Sequence, residues 1–521
     1  MFTDFVSTGI SLYEEKNYHF AWMAFQNAAT LENTPEAYYY LGLMAQNGRG
    51  TSRNYGEART YYEKASRGGY PLGAYRIALL YLEGKGVEKD VGFALKKLAR
   101  VADKGCHEAM YELASLYLKG KEVPQNKEKG YTWLEKAAHA GNAQALYEMG
   151  RLLIRGKELP QDETRGLTYL EKAGDLDHRE AQFEFGSALY RRAKNCYEKE
   201  EAIAWITSAF ENGMKRASKT LEKIRQEFTE RDKQLQRFKS VEKNFLRGES
   251  PETSFEVGRY LWRTAEVSED IQRAMDLFYQ AAEAGYAPAQ YQLGTIRSYE
   301  ENLRDETEAG KWFAKAAEQE FAPAQAELAY LYRHGITVEK DVSKSFMWAQ
   351  RAAKQRENQG LFALGVCYME GVGVRKDKFM ALECYHRSAI RGNLCAQFNT
   401  GLCYELGEGS RKSQERAVKW YRRAAKRGVN PAKFRLGLIL IDQDPNDPGK
   451  VDEGYHLIWE AAGEGDADCQ LALGALFETG FGTYPADREK AIYWYRKAAE
   501  NGSPEAETRL EFLARKGDKG E

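Results

Sequence analysis

Several things are scarce in this chain, and each scarcity closes off a class of protein. Of 521 residues only 12 are proline and 7 are cysteine. The cysteines (Cys106, Cys196, Cys367, Cys384, Cys395, Cys403 and Cys469) are odd in number and irregular in spacing. A disulfide framework would be even and periodic. They read as reduced thiols, mostly small core residues, of a cytoplasmic protein. No charge sign prevails: 76 Lys and Arg face 77 Asp and Glu, for a net charge of −1. No global field then draws the chain to nucleic acid or to an anionic membrane. One of the longest apolar runs, Leu438 to Ile441, is far short of the ~18 residues of a spanning helix. The opening Met1 to Val6 lacks both a basic region and a sustained apolar region, so no signal peptide is expected. The expectation is a soluble, unexported protein without membrane insertion.

Catalytic and metal-binding signatures are equally sparse. The seven histidines (His19, His107, His139, His178, His334, His386 and His456) show no metal-ligand spacing. Cys384 and His386 stand two apart and would not share a helix face. There is no Gly-x-Ser-x-Gly elbow and no phosphate loop. Carboxylates abound, but none occupies a position arguable from sequence as buried, which a raised pKa would need. The expectation is a non-enzymatic chain with no catalytic residues, no metal and no cofactor.

What the chain does have is a repeat. At 521 residues it exceeds one compact core, so it holds several domains or an elongated array. A Leu-Gly-type pair recurs, its small member at Gly42, Ala78, Ala114, Gly150, Gly186, Gly258, Gly294, Ala329, Gly365, Gly401, Gly437 and Gly474. The steps are 36 residues or within one of it, except 186 to 258, which is 72. A second small column follows, as at Ala281-Ala282, Ala316-Ala317 and Ala424-Ala425. Two small columns per period imply two helices that approach closely. Between them lie Gly-x-Gly turns such as Gly48 to Gly50, Gly84 to Gly86 and Gly371 to Gly373. Glycine past a helix end supplies a left-handed C-cap. Helix N-cap types follow at Asn54, Asp90, Asn126, Asp162, Asp270, Asp341, Asp377, Ser413 and Asp487. Each unit is therefore helix A, glycine turn, N-cap, helix B. The aromatic residues of helix B, as in Ala417 to Ala425 and Ala491 to Ala499, fill the interior between units.

These units resemble Sel1-like repeats. Pro323–Ala329 (PAQAELA) and Ala289–Gly294 (AQYQLG) resemble the family's helix A, Glu370–Asp377 (EGVGVRKD) its turn, and Trp420–Gly428 (WYRRAAKRG) its helix B. The resemblance covers about residues 34 to 503. It implies an all-α fold, a right-handed α-solenoid superhelix of tandem ~36-residue helix-turn-helix units with a concave groove. It also implies a scaffold or adaptor that binds proteins. A cysteine-rich branch of the family is exported, carries a cysteine pair in each repeat and is linked to β-lactam binding. This chain lacks those pairs, so a hydrolase or small-ligand binder of that type is the disfavoured alternative.

The expected organisation is a tetratricopeptide-like hairpin over 1–33, about five repeats over 34–214, a degenerate repeat over 215–252, about seven repeats over 253–503, and a capping helix with a frayed tail over 504–521. In the degenerate segment Glu222 replaces the slot glycine and Phe245-Leu246 replace the alanine pair, so its interface is a candidate hinge.

Partner binding is expected on helix A. Three residues before nearly every slot stands an aromatic, including Tyr75, Tyr111, Tyr147 and Tyr291. Packing is the plainer role, but a partly exposed tyrosine ladder would suit a peptide. One and five residues after the slot, the central repeats carry Arg151, Arg155, Arg191, Arg259 and Arg263, with Lys119 just ahead. Arginine favours bidentate contact with carboxylates, so the expected ligand is an acidic segment of a partner protein, of unknown identity. A nucleic-acid partner is not expected for a chain of pI near 6.7. Self-association remains open, since a solenoid end exposes apolar surface.

Overall fold

The computed structural model describes residues 5–241, 250–265, 268–443, 447–480 and 485–517. Among them the secondary structure is helical, with no strand. The chain divides into two compact units, Met1–Lys376 with Ile390–Gly392, and Asp377–Ala389 with Asn393–Glu521.

The first unit opens with the hairpin α1 (Phe5–Glu14) and α2 (Tyr18–Leu31). Helix pairs follow: α3 (Pro35–Asn47) and α4 (Tyr55–Arg67), α5 (Pro71–Glu83) and α6 (Val91–Ala102), α7 (His107–Lys119) and α8 (Lys127–His139). Then come α9 (Ala143–Arg155) and α10 (Glu163–Asp175), α11 (Arg179–Arg192) and α12 (Cys196–Glu211), and the single long helix α13 (Lys215–Val241). Pairing resumes with α14 (Pro251–Thr264) and α15 (Ser268–Glu283), α16 (Ala287–Tyr299) and α17 (Glu306–Glu318), α18 (Ala322–His334) and α19 (Val342–Lys354), then α20 (Asn358–Glu370). The second unit holds α21 (Lys378–Ile390) up to Ala389, α22 (Leu394–Leu406), α23 (Gln414–Ala425), α24 (Asn430–Gln443), α25 (Pro448–Gly463), α26 (Ala467–Thr479), α27 (Arg488–Glu500) and α28 (Pro504–Gly517). Within each unit successive helices pack on one another, as a solenoid requires.

The slot glycine shows why the register holds. A Cβ built on Gly294 would lie 2.6 Å from the Phe313 ring, and one on Gly401 would lie 2.6 Å from Tyr421. Gly42 stands in the same relation to Tyr62, and Gly474 to Tyr495. The missing side chain of helix A is the hole that the helix B ring fills. The ring's hydroxyl then finds an acceptor four residues past the slot: Tyr62 donates to Gln46, Tyr421 to Glu405 and Tyr495 to Glu478. A buried phenol needs such a partner.

A second device joins three helices at once. Four residues before the slot stand Gln182, Gln290, Gln325, Gln397 and Gln470, all buried. Each donates to the backbone carbonyl eight residues earlier, at the end of the preceding helix B. Four of them also accept an amide from the end of the next helix B: Gln182 from Asn212, Gln290 from Gln319, Gln325 from Gln355, and Gln470 from Asn501.

Helix ends follow the turn chemistry. Gly48, Gly84, Gly371 and Gly407 adopt left-handed φ at helix C-termini. Asn54, Asp90, Asn126, Asp162, Asp341, Asp377, Ser413 and Asp487 each accept a backbone N–H of the helix they start. Asp270 is the exception to the expectation. It lies buried inside α15, which begins at Ser268. The neighbouring α17 is capped by Asp305, which the sequence pattern did not single out.

Where the degenerate repeat was expected, a single helix of 27 residues stands. Phe245 and Leu246 lie outside the described residues. The first turns of α13 add Ala217 and Ile224 to a core cluster with Phe183, Ile206 and Ala209, while Cys196 and Tyr197 of α12 pack against the cluster of Phe255, Phe278 and Leu293. Five of the seven cysteines, Cys106, Cys367, Cys384, Cys403 and Cys469, are buried.

Candidate partner-binding cleft

The expected tyrosine ladder is a set of rungs between repeats. The Tyr111 hydroxyl donates to Glu148 at 2.7 Å and that of Tyr147 to Glu184 at 3.1 Å. Both acceptors sit two residues before the next slot. Tyr75 faces Glu112 in the same sense, and burial with that charge pushes its phenol up to about 12. Tyr291 is raised as well, by burial and by Glu327. Tyr147 is buried, and Tyr75, Tyr111 and Tyr291 are half-buried. Tyr111 and Tyr147 therefore spend their hydroxyls on joining repeats.

The six expected cations divide in two. Arg151 lies 3.5 Å from Glu184 and over the Tyr147 ring, and Arg259 bonds Glu200 at 3.2 Å and lies over Tyr197. Arg263 is exposed and also has an interaction of its own. Lys119, Arg155 and Arg191 are exposed and form no ion pair among the described residues. The acids that neutralise part of the basic lining come from a column, two before the slot, that sequence reasoning did not weigh: Glu112, Glu148, Glu184, Glu256 and Glu327. Its fixed register was a legible signal.

One of the free cations stands in a cleft. Between α9, α10, α11, α12 and the first turns of α13 opens a space of about 520 Å³. Its floor is apolar, with Ile154, Phe183, Ala188, Ile206 and Ile224. Its rim carries Glu163, Glu184 and Glu227 beside Arg191, Arg216 and Lys223. Every rim carboxylate is engaged: Glu163 by Arg192, Glu184 by Tyr147 and Arg151, and Glu227 by Tyr190. Arg216 lies over Phe183, while Arg191 and Lys223 are exposed and make no ion pair among the described residues. The Ser187 hydroxyl oxygen lines the same cleft without a hydrogen-bond partner among the described residues. The cleft thus offers an apolar floor and two exposed cations, Arg191 and Lys223, outside any ion pair among the described residues.

Carboxylates are buried in this unit, contrary to the sequence expectation. Glu171 is buried. Burial, partly offset by Arg391, pushes Glu201 up to about 7. Burial and Glu357 push Glu327 up to about 7. Among the described residues no group of three or more His, Cys, Asp or Glu has a metal-holding arrangement.

A family model described as Sel1 repeat matches residues 35–70, 71–104, 107–142, 143–178, 252–286, 287–321, 322–356, 358–393, 396–429 and 467–503. Among solved structures the chain is similar to a protective antigen of uropathogenic Escherichia coli displaying an SLR fold, at 21% identity over 94% of this chain and 97% of that one, TM-score 0.34. It is similar to a Sel1 repeat protein from Oxalobacter formigenes at 29% identity, over 44% of this chain and 90% of that one, TM-score 0.39. Yeast Tom70 is similar at 15% identity over 99% and 98% of the two chains, TM-score 0.29. No curated protein matches the chain.

Proposed function

This chain belongs to the Sel1 repeat family, and on that footing we propose that it is a non-enzymatic adaptor that holds an acidic, partly apolar segment of a partner protein in the cleft of α9–α13. Repeat folds of this kind commonly serve as protein-interaction scaffolds. The observation that carries the reading is the charge state of the rim. Its carboxylates are engaged by the chain itself, whereas Arg191 and Lys223 are left for a ligand. An acidic side chain would meet those cations while an apolar neighbour covers Phe183 and Ile224. In this reading the protein works in the cytoplasm, which its five buried thiols support. Among the described residues no helix is long and apolar enough to cross a membrane.

Selection from a displayed library of random peptides tests the proposal. Wild type is expected to enrich sequences with Asp or Glu beside an apolar residue, and the double variant Arg191→Glu with Lys223→Glu is expected to lose them. Enrichment of the same peptides by both proteins, or of none by wild type, contradicts it.

A further inference from the structure

In the first unit, stretches far apart in sequence close on each other. The Tyr197 ring of α12 sits 5.4 Å from Tyr291 and 5.7 Å from Phe321, and its hydroxyl donates to Gln292 at 3.0 Å. Ser208 donates to the Ile390 carbonyl. Arg391 is wholly buried, bonded at 2.9 Å to both Glu171 and Asp175 of α10, and its guanidinium lies 4.6 Å from the Trp205 ring centre. Arg356 holds the other oxygen of Glu171 at 2.9 Å.

Charge does not balance along this seam. Arg356 and Arg391 face Glu171, Asp175, Glu201 and Glu357, and Glu357 in turn faces Glu327. Glu171 and Asp175 take the arginines. Glu201, Glu327 and Glu357 have no cation at ion-pair distance among the described residues. Glu357 accepts the Gly360 N–H, and Glu327 accepts the Tyr299 hydroxyl at 3.5 Å. Toward Glu201 stand Glu171 from α10, Arg356 and Glu357 from the turn before α20, and Arg391. Toward Glu327 stand Glu357 and Tyr299 of α16. Tyr291 of α16 faces both Glu327 and Glu357.

We propose that this seam is a proton-governed clasp, closed while Glu201, Glu327 and Glu357 hold protons and loosened when they ionise. The sign follows from linkage. When the seam opens, these carboxyls meet water and return to the ordinary glutamate range near ~4.3. When it is closed, burial holds Glu201 and Glu327 up to about 7 and raises Glu357 as well. The closed state therefore binds protons that the open state releases between those limits. Raising the pH through that window favours opening, and the advantage of the closed form is used up above the closed-state value. The arginines stay charged throughout.

Hydrogen exchange of the full chain, corrected for the intrinsic rate at each pH, tests the clasp at about pH 5.5 and about pH 8. In wild type the amides of α12 and of Ile390–Gly392 are expected to be on the order of tenfold or more better protected at the lower pH, relative to α3–α5. In Glu201→Gln with Glu327→Gln that difference is expected to shrink to the part that Glu357 contributes, with α12 better protected at the higher pH than in wild type. Should the double variant fail to fold by circular dichroism, either single variant is expected to give a reduced pH dependence. A wild type whose α12 follows α3–α5 at both pH values overturns the proposal. So does a folded glutamine variant that keeps the full wild-type pH dependence.

Discussion

Gln355 donates its side-chain amide to Gln325 Oε1 at 2.9 Å, while Gln325 donates its own amide to the Ala317 carbonyl. One buried side chain thus joins helices α17, α18 and α19. Replacing Gln325 by Leu removes both bonds and leaves the Ala317 carbonyl without this donor. The expected cost is about 1–3 kcal/mol, because two hydrogen bonds worth about 0.5–1.5 kcal/mol each are lost, while the Ala317 carbonyl keeps the Glu320 N–H at 3.1 Å. Gln355→Ala removes an exposed donor and is expected to cost less. Thermal unfolding of the two variants checks the order.

The slot hole makes a coupled prediction. An alanine at Gly294 would place its Cβ 2.6 Å from the Phe313 ring. Overpacking of this kind costs about 1–3 kcal/mol. Phe313→Leu opens space at the same point, so the double variant Gly294→Ala with Phe313→Leu is expected to be more stable than the sum of the single effects. A denaturation double-mutant cycle measures the coupling, and strict additivity would mean that the two residues do not share the site.

Much of this architecture was legible in sequence because it is local. Gly294 and Phe313 recur with the period, so helix pairs, turns and caps could be read from spacing. The Asp270 error has a local cause too. A capping residue type two positions inside a helix looks the same in sequence as one at its start. The glutamine and glutamate columns were present in register but carry no mark of burial, which depends on the neighbouring repeat. The seam was not legible at all. Arg391 and Glu171 lie 220 residues apart, and no periodicity connects them. The engaged cations Arg151 and Arg259 stand one residue past the slot and Lys119, Arg155 and Arg191 five past it, but the sequence carries no mark of which of these columns meets a glutamate of another helix.

That difference between two arginines is itself testable. Arg191 is exposed and unpaired among the described residues, so Arg191→Glu is expected to change stability by no more than ~0.5 kcal/mol, in the range of ordinary surface substitutions. Arg151→Glu puts a carboxylate beside Glu184 and over the Tyr147 ring, and is expected to be clearly destabilising. Chemical denaturation of the pair checks it, and equal midpoints would contradict the assignment.

The rungs between repeats predict a smaller effect. Tyr111→Phe removes one hydroxyl, but Glu148 keeps the Gln144 amide at 2.9 Å. The expected loss is about 0.5–1.5 kcal/mol. Adding Gln144→Ala should release Glu148 and cost more. Unfolding midpoints of the single and double variants decide it.

The most direct test of the central claim locates the ligand. A photo-crosslinking amino acid placed at Ser187, on the cleft wall, is compared with one at Thr60, exposed on α4. An acidic peptide selected by the wild-type chain is expected to crosslink from Ser187 and not from Thr60, and to be competed off by unlabelled peptide. Competable crosslinking from Thr60, with none from Ser187, would contradict the assignment of the cleft as the site where a partner is held.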